Sequence, residues 1–364
     1  MLEQLKSLVR PIAALSAVVA AVVVAVPSFA ADPMKVGFIY LGPVGDTGWS
    51  YQHDQGRLAL ERNLGSKISV RTVANINEGP DAERVARELS MDGYKLIFAT
   101  SFGYMKPIMS VAAENPGTTY LVSSAYLNAP NFSGYNAKWH EGGYLAGIVA
   151  GKTTKSNIIG FVGPHPVPDV MWYLNAFTLG ARSVNPMATV RTVFVNSWYD
   201  PSREQEAGNA LINQGADVLT HFTNTPAVAI AAESKGVGVI SFHSDMRRFA
   251  PKNYLTGLVH DWGGFYTKVV QNVAAGSWKP SPYMGGVADG VVKLAPFGPR
   301  VTQETADLVT AKQKEIASGR LNVFSGPIRD QNGQARVAAG SVYADAELGK
   351  MNWLVEGVLG GTSK

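Results

Sequence analysis

The 364-residue chain is 46% hydrophobic and 16% charged, contains no Cys, and carries a formal net charge of +4. That much apolar material is enough for the cores of about two domains and excludes a disordered chain. The missing Cys excludes disulfide scaffolds, zinc fingers, iron–sulfur clusters, a Cys nucleophile and a lipid-modified N-terminal Cys. Lys and Arg are scattered rather than striped, which gives no nucleic-acid footprint.

The first 30 residues read as a secretory signal. Lys6 and Arg10 form a basic start, and an apolar run spans Ile12 to Val26. Ser28-Phe29-Ala30 then places small residues at −3 and −1, predicting cleavage after Ala30 and export to the periplasm. A run of about 15 residues is short for a spanning helix, which needs about 20.

After the signal, strands and helices alternate. Met34–Leu41 is a short apolar run ending at Gly-Pro, and predicts a buried strand. Helical spacing follows over Trp49–Asn63, a strand over Ile68–Val73, a helix over Pro80–Met91 and a strand over Lys95–Thr100. A helix to Glu114, a strand over Thr119–Ser123 and a helix over His140–Gly151 complete this half. The pattern restarts with strands at Ile158–Val162, Val190–Val195, Asp217–His221 and Val237–Phe242. Helices at Val170–Val184, Pro201–Gln214 and Pro226–Lys235 lie between them. Further helices are predicted over Gly263–Ala275 and Gln303–Ser318, and a hairpin over Arg320–Gly333. Such alternation specifies an α/β fold with parallel sheets and helices on both faces.

The two halves repeat. Gly42-Pro43 with Asp46 and Trp49 recurs as Gly163-Pro164 with Asp169 and Trp172. The helix opening at Pro80-Asp81 recurs at Asp200-Pro201, and Gly93–Ile97 recurs as Gly215–Leu219. Two copies of one Rossmann-like lobe are predicted, with ligand bound beyond the carboxyl ends of their strands. Each copy would offer an indole and a carboxylate to the cleft between them. Two indoles can sandwich a flat ring, and stacking on an aromatic is worth about 1–3 kcal/mol per base. Other polar or aromatic residues at strand ends join the candidate set. Phe102 supplies an aromatic wall, Asn224 a carboxamide, His243 a polar contact, and Asp245 a carboxylate for a ribose diol or ring amine. Asp200 reads as a helix N-cap and Asp289 as a turn residue.

Enzyme motifs are weak. Ala146–Thr153 fits a relaxed phosphate-loop pattern, but a helix precedes it and a strand follows, the reverse of what that loop needs. There is no G-x-S-x-G elbow and no H-E-x-x-H. The six His do not pair at metal-ligand spacing, so neither metal nor cofactor is expected.

Several stretches resemble one family. They are GFIYLGPVGDTGWSYQHDQG (37–56), YNAKWHEGGYLAGIVAG (135–151) and IIGFVGPHPVPDVMWYLNAFTLGARSVNP (158–186). VNSWYDPSREQEAGNALINQGADVLTHFTNTPA (195–227) and HSDMRRFAPKNYLTGLVHDWGGFY (243–266) continue the likeness. They resemble the basic membrane protein family of ABC-transporter solute-binding proteins, the purine-nucleoside-binding group of type I periplasmic binding proteins. The resemblance implies a two-lobe protein, not an enzyme, that delivers a purine base or nucleoside to an ABC permease in the inner membrane. It also implies an acidic residue and a stacker in the first loop, which fall on Asp46 and Trp49, and an aspartate after the last strand of the second lobe, Asp245. Where nucleoside binders of the family carry Asn-Asp and Ser-Phe-Asn, this loop reads Gly45-Asp46-Thr47-Gly48-Trp49-Ser50. A free base such as adenine therefore stands as a candidate beside a nucleoside.

The resulting expectation is a monomer with lobe 1 at 31–138 and about 258–300, and lobe 2 at 139–257 and about 301–364. Without a Cys it would be free of a lipid anchor. The alternatives are a binder of another flat or sugar-like solute, or a secreted nucleoside hydrolase.

Overall fold

A computed structural model describes residues 32–361, so the predicted signal segment lies outside the described residues. The first sheet is built from β1 (Met34–Tyr40), β2 (Ile68–Val73), β3 (Leu96–Thr100), β4 (Thr119–Ser123) and β5 (Phe132–Ala137). Helices α1 (Gly48–Leu64), α2 (Pro80–Met91) and α3 (Met105–Glu114) cross between its strands. After α4 (Trp139–Thr153) come β6 (Ile158–Gly163), α5 (Pro168–Val184), β7 (Thr189–Phe194) and α6 (Pro201–Asn213). Then follow β8 (Val218–His221), α7 (Ala227–Lys235), β9 (Gly238–Ser241), β10 (Tyr254–His260) and α8 (Gly263–Ala274). The C-terminal part holds β11 (Tyr283–Gly285), β12 (Val292–Leu294), α9 (Gln303–Ala317), β13 (Ile328–Arg329) and β14 (Ala335–Val337). It ends with α10 (Asp345–Leu348) and β15 (Val358–Leu359).

The first sheet has the order β11-β5-β4-β3-β1-β2 with every pair parallel. The second has the order β12-β10-β9-β8-β6-β7-β15, parallel except where β12 runs against β10. In both, the strand order reverses at the first strand of the lobe, so a crevice opens beyond the carboxyl ends of β1 and β3, and of β6 and β8. Buried strand residues such as Val36, Phe38 and Phe98, and Ile159, Phe161 and Val218, leave no solvent on either face. This is why these strands read as continuous apolar runs rather than alternating ones.

The chain passes between lobes at 137–139, 260–263 and 285–292. The C-terminal return to lobe 1 is narrower than about 258–300. Tyr254–His260 and Val292–Leu294 pair inside the second sheet, and only α8 and β11 go back to the first lobe. Backbone pairing decides this: β10 bonds β9 and β12, while β11 bonds β5. Residues 328–337 form the predicted hairpin, starting later than Arg320.

The glycines of the phosphate-loop-like stretch have a packing role. Gly143, Gly147 and Gly151 recur every fourth residue along α4, which puts them on one face. That face meets α5 backbone to backbone. A Cβ on Gly147 would sit 2.0 Å from the Phe177 carbonyl oxygen, and one on Gly180 of α5 would sit 2.1 Å from the Tyr144 carbonyl oxygen. Asp200 is the N-cap of α6, accepting from the Arg203 N–H at 3.0 Å, and Asp289 accepts from the Gly286 N–H in its turn.

Candidate functional site

The strand-end loops of the two lobes line a cavity. Lobe 1 contributes Leu41, Trp49, Ser101, Phe102 and Ser124 to its wall. Trp139, Val167, Asp169, Trp198, Phe222, Asn224 and His243 complete it. The loops after β1, β3, β4, β6, β7, β8 and β9 all converge there, as the reversed strand order requires.

Three indoles dominate. Trp49 is the second residue of α1, and its Nε1 donates to the Thr100 carbonyl at 2.6 Å, which fixes the ring against the end of β3. Trp139 opens α4, its centroid 6.0 Å from that of Trp49. Trp198 lies in the loop before α6, half-buried, 5.1 Å from His165. The Asn224 N–H donates to the Trp198 carbonyl at 3.1 Å, tying two wall loops together. Glu204, fully buried, braces the same loops. Its Oε2 accepts from the Thr223 hydroxyl at 2.8 Å and the Thr225 hydroxyl at 2.6 Å.

Asp169 is the one carboxylate of the wall. It is the second residue of α5, where the helix dipole favours a negative charge. Burial pushes its carboxyl up to about 6, opposed by hydrogen bonds from Ser124, Asn136 and Trp139. Asn136 Nδ2 donates to Oδ2 at 2.9 Å. An ionised carboxylate in this position accepts hydrogen bonds from N–H groups in the plane of a stacked ring.

Of the predicted site residues, Trp49, Phe102, Asn224 and His243 come together in the wall. Asp46, Trp172 and Asp245 do not. Asp46 is exposed and forms an ion pair with Arg248 across the lobe boundary. Asp245 is exposed and pairs with Arg247 at 2.8 Å. Trp172 is 2% exposed, 6.3 Å from His140, and lies one turn deeper into α5 than Asp169.

The displacement of Trp172 has a plain cause. Residues 41–47 join β1 to α1, whereas only 164–167 join β6 to α5. With three residues fewer, the helices align Trp49 with Asp169 rather than with Trp172. Trp139 and Trp198 are wall residues that the sequence comparison missed. Trp139 lies between the repeats and has no counterpart in either. Trp198 stands in a strand-end loop, the same signal that singled out Phe102.

The lobes meet around the cavity. Thr47 Oγ1 and Ser244 Oγ are 2.5 Å apart, and the Gly48 N–H donates to Ser244 Oγ at 2.9 Å. Gly48 has φ +86, and a Cβ there would lie 2.1 Å from the Asn224 carbonyl oxygen. Only glycine permits both this conformation and this approach. Among the described residues, no cluster of three or more His, Asp or Glu could hold a metal ion, and no helix is long and apolar enough to cross a membrane.

The chain is 42% identical to a purine-binding protein of Brucella abortus over 90% of its own length and 94% of that protein's. It is 36% identical to a Haloferax volcanii protein provisionally described as an ABC transporter glucose-binding protein, over 81% of this chain and 75% of that one. A solved ABC transporter solute-binding protein from Aeropyrum pernix superposes with a TM-score of 0.68 at 16% identity, covering 80% of this chain and 93% of that one. One from Conexibacter woesei gives 0.66 at 23% identity, covering 79% and 98%. These structures share the two-lobed α/β fold of type I periplasmic binding proteins. Residues 34–324 match the family described as PnrA-like ABC transporter substrate-binding proteins, and the chain belongs to that family.

Proposed function

We propose that this chain is the exported solute-binding protein of an ABC importer and captures a purine, as a free base or as the base of a nucleoside, in the cavity between its lobes. Trp49, Phe102, Trp139 and Trp198 provide stacking faces. Asp169 accepts ring or exocyclic N–H groups, and Asn224 and His243 contact the ring edge. The observation that carries this reading is one buried carboxylate within a wall of three indoles. That wall suits a flat ring with N–H donors. Closure of two lobes over such a ligand is a hinge motion. The protein would then act as a monomer in the periplasm and hand its ligand to an inner-membrane permease. It would need no cofactor and perform no reaction.

The glucose-binding description of the Haloferax relative favours a second reading, a sugar, since an indole also stacks on sugar rings. A sugar ring brings several hydroxyls that each need a polar partner. The aromatic bulk of this wall supplies few, which favours the purine.

Denaturing the purified protein and identifying the released molecule by mass spectrometry tests the assignment. A purine base or nucleoside is expected. A released sugar would overturn the purine reading in favour of the second.

A further inference from the structure

The carboxylate of the wall is completed by residues outside its own lobe. Asp169 stands in the first turn of α5 in lobe 2. The side chains bonded to it are Ser124 and Asn136 of lobe 1, and Trp139 at the end of the crossover. Asn136 lies near the carboxyl end of β5 and is 6% exposed. Its Oδ1 accepts from the Ala137 N–H at 2.8 Å, and its Nδ2 donates to Asp169 Oδ2 at 2.9 Å. A backbone N–H can only donate, so it settles which end of the amide is oxygen. The NH2 end is thereby committed to Asp169. Ser124 is held at φ +62, a conformation that costs energy for a residue with a side chain. Its N–H donates to the Tyr135 carbonyl at 2.8 Å, which ties the end of β4 to the strand that carries Asn136.

This arrangement has a chemical consequence. Burial drives Asp169 towards the neutral acid, whereas hydrogen bonds donated to it favour the charged form. The Asn136 NH2 has nothing to offer a hydroxyl, so the bond opposes a proton on Oδ2. A carboxylate has about four lone-pair sites, so three protein donors leave room for a ligand N–H. Asp169 keeps 7% exposure in the cavity wall. The other titratable groups around it are His165 in the loop before α5, Lys138 and His140 beside Trp139, and His243 across the wall. Burial holds His140 at about 4 and His243 well below the usual range, so both are neutral above pH 5. Lys138 is engaged by Asp345 at 2.9 Å. No ionised side chain contributes to the shift of Asp169.

We propose that Asn136 is a positioning residue of the cavity: from lobe 1 it holds the Asp169 carboxylate of lobe 2 in its charged form, as an acceptor for the ligand's N–H groups. This inference rests on the purine reading and deepens it. The acceptor is assembled by both lobes rather than by α5 alone, and Asn136 itself touches no ligand in this scheme.

Two titrations decide it. The first follows the Asp169 side-chain carboxyl carbon by NMR in the ligand-free protein. The second follows the affinity for adenine and hypoxanthine by calorimetry from pH 5 to 9. Asn136→Leu removes both ends of the amide at nearly the same size. Asn136→Asp keeps an oxygen for the Ala137 N–H and replaces only the donor, so it carries the test if the leucine variant does not fold. In either variant the Asp169 midpoint should rise by about one to two pH units, and the pH below which affinity falls should rise with it. Asp169→Asn should lose that step, which separates it from any titration of His165. An Asp169 midpoint unmoved in both variants, or an affinity lowered equally at every pH, would make Asn136 a packing residue and overturn the proposal. Failure of both purines to bind the wild type would instead contradict the ligand assignment, and the carboxyl titration would still decide the role of Asn136.

Discussion

Trp49 and Trp172 show how far residue type and residue place can diverge. Both are buried indoles near a helix start, yet only Trp49 faces the cavity. Trp49→Ala should weaken purine binding by about 1–3 kcal/mol, roughly 5- to 150-fold by titration calorimetry. Trp172→Ala should leave affinity unchanged and lower unfolding stability by about 3–5 kcal/mol, read as a shift in denaturant midpoint. Asp169 couples the two quantities. Its folded value of about 6 lies above its ordinary 3.8. The stability contribution of its protonated form is fully present below about pH 4 and is lost as pH rises through 6. Above that, burial of the ionised group costs on the order of 3 kcal/mol. Asp169→Asn should therefore stabilise the ligand-free protein at pH 7.5, with little effect at pH 4, while weakening purine binding. In the wild type, affinity should fall as pH drops below about 6, when the carboxylate stops accepting. An affinity constant from pH 7.5 to 5 would remove Asp169 from the site.

At the scale of elements, most of the α/β alternation was legible, because apolar runs and helical spacing are local signals. Besides short C-terminal strands such as Val292–Leu294 and Val358–Leu359, two longer strands escaped. Phe132–Ala137 reads FSGYNA and Tyr254–His260 reads YLTGLVH, each broken by Gly and a polar residue. Their burial comes from tertiary pairing with β4 and β11, and with β9 and β12. The repeat located the crevice but misplaced two of its residues, Asp46 and Trp172, the latter because a three-residue difference between loops shifts a helix by nearly one turn. The Gly143-x-x-x-Gly147-x-x-x-Gly151 row was visible too, but its meaning depends on α5 lying against it. Gly147→Val should cost about 1–3 kcal/mol or more, because a side chain there meets the Phe177 carbonyl. An unchanged denaturant midpoint would contradict the close approach of α4 and α5.

For the whole molecule, the decisive feature is contact between lobes beside the cavity. Gly48 against Asn224, Thr47 against Ser244 and Asp46 against Arg248 all span the boundary. Asp46, expected in the sequence as a ligand contact, lies at this boundary instead. Gly48→Val should hold the lobes apart. Ligand affinity should fall at least tenfold while both sheets stay folded, judged by circular dichroism and titration together. Full affinity in that variant would show that closure does not depend on this approach. The family and the two-lobed fold were readable because their motifs run through nearly the entire chain after the predicted signal. The composition of the wall was only half readable, because Trp139, Trp198 and Asp169 become neighbours only when two distant lobes face each other.

The most direct test is titration calorimetry of the refolded, ligand-stripped protein with purine bases, purine nucleosides and glucose. Saturable one-to-one binding of a purine, weakened in both Asp169→Asn and Trp49→Ala, is predicted, with no heat from glucose. Binding of glucose without purine, or purine binding indifferent to both substitutions, would contradict the account.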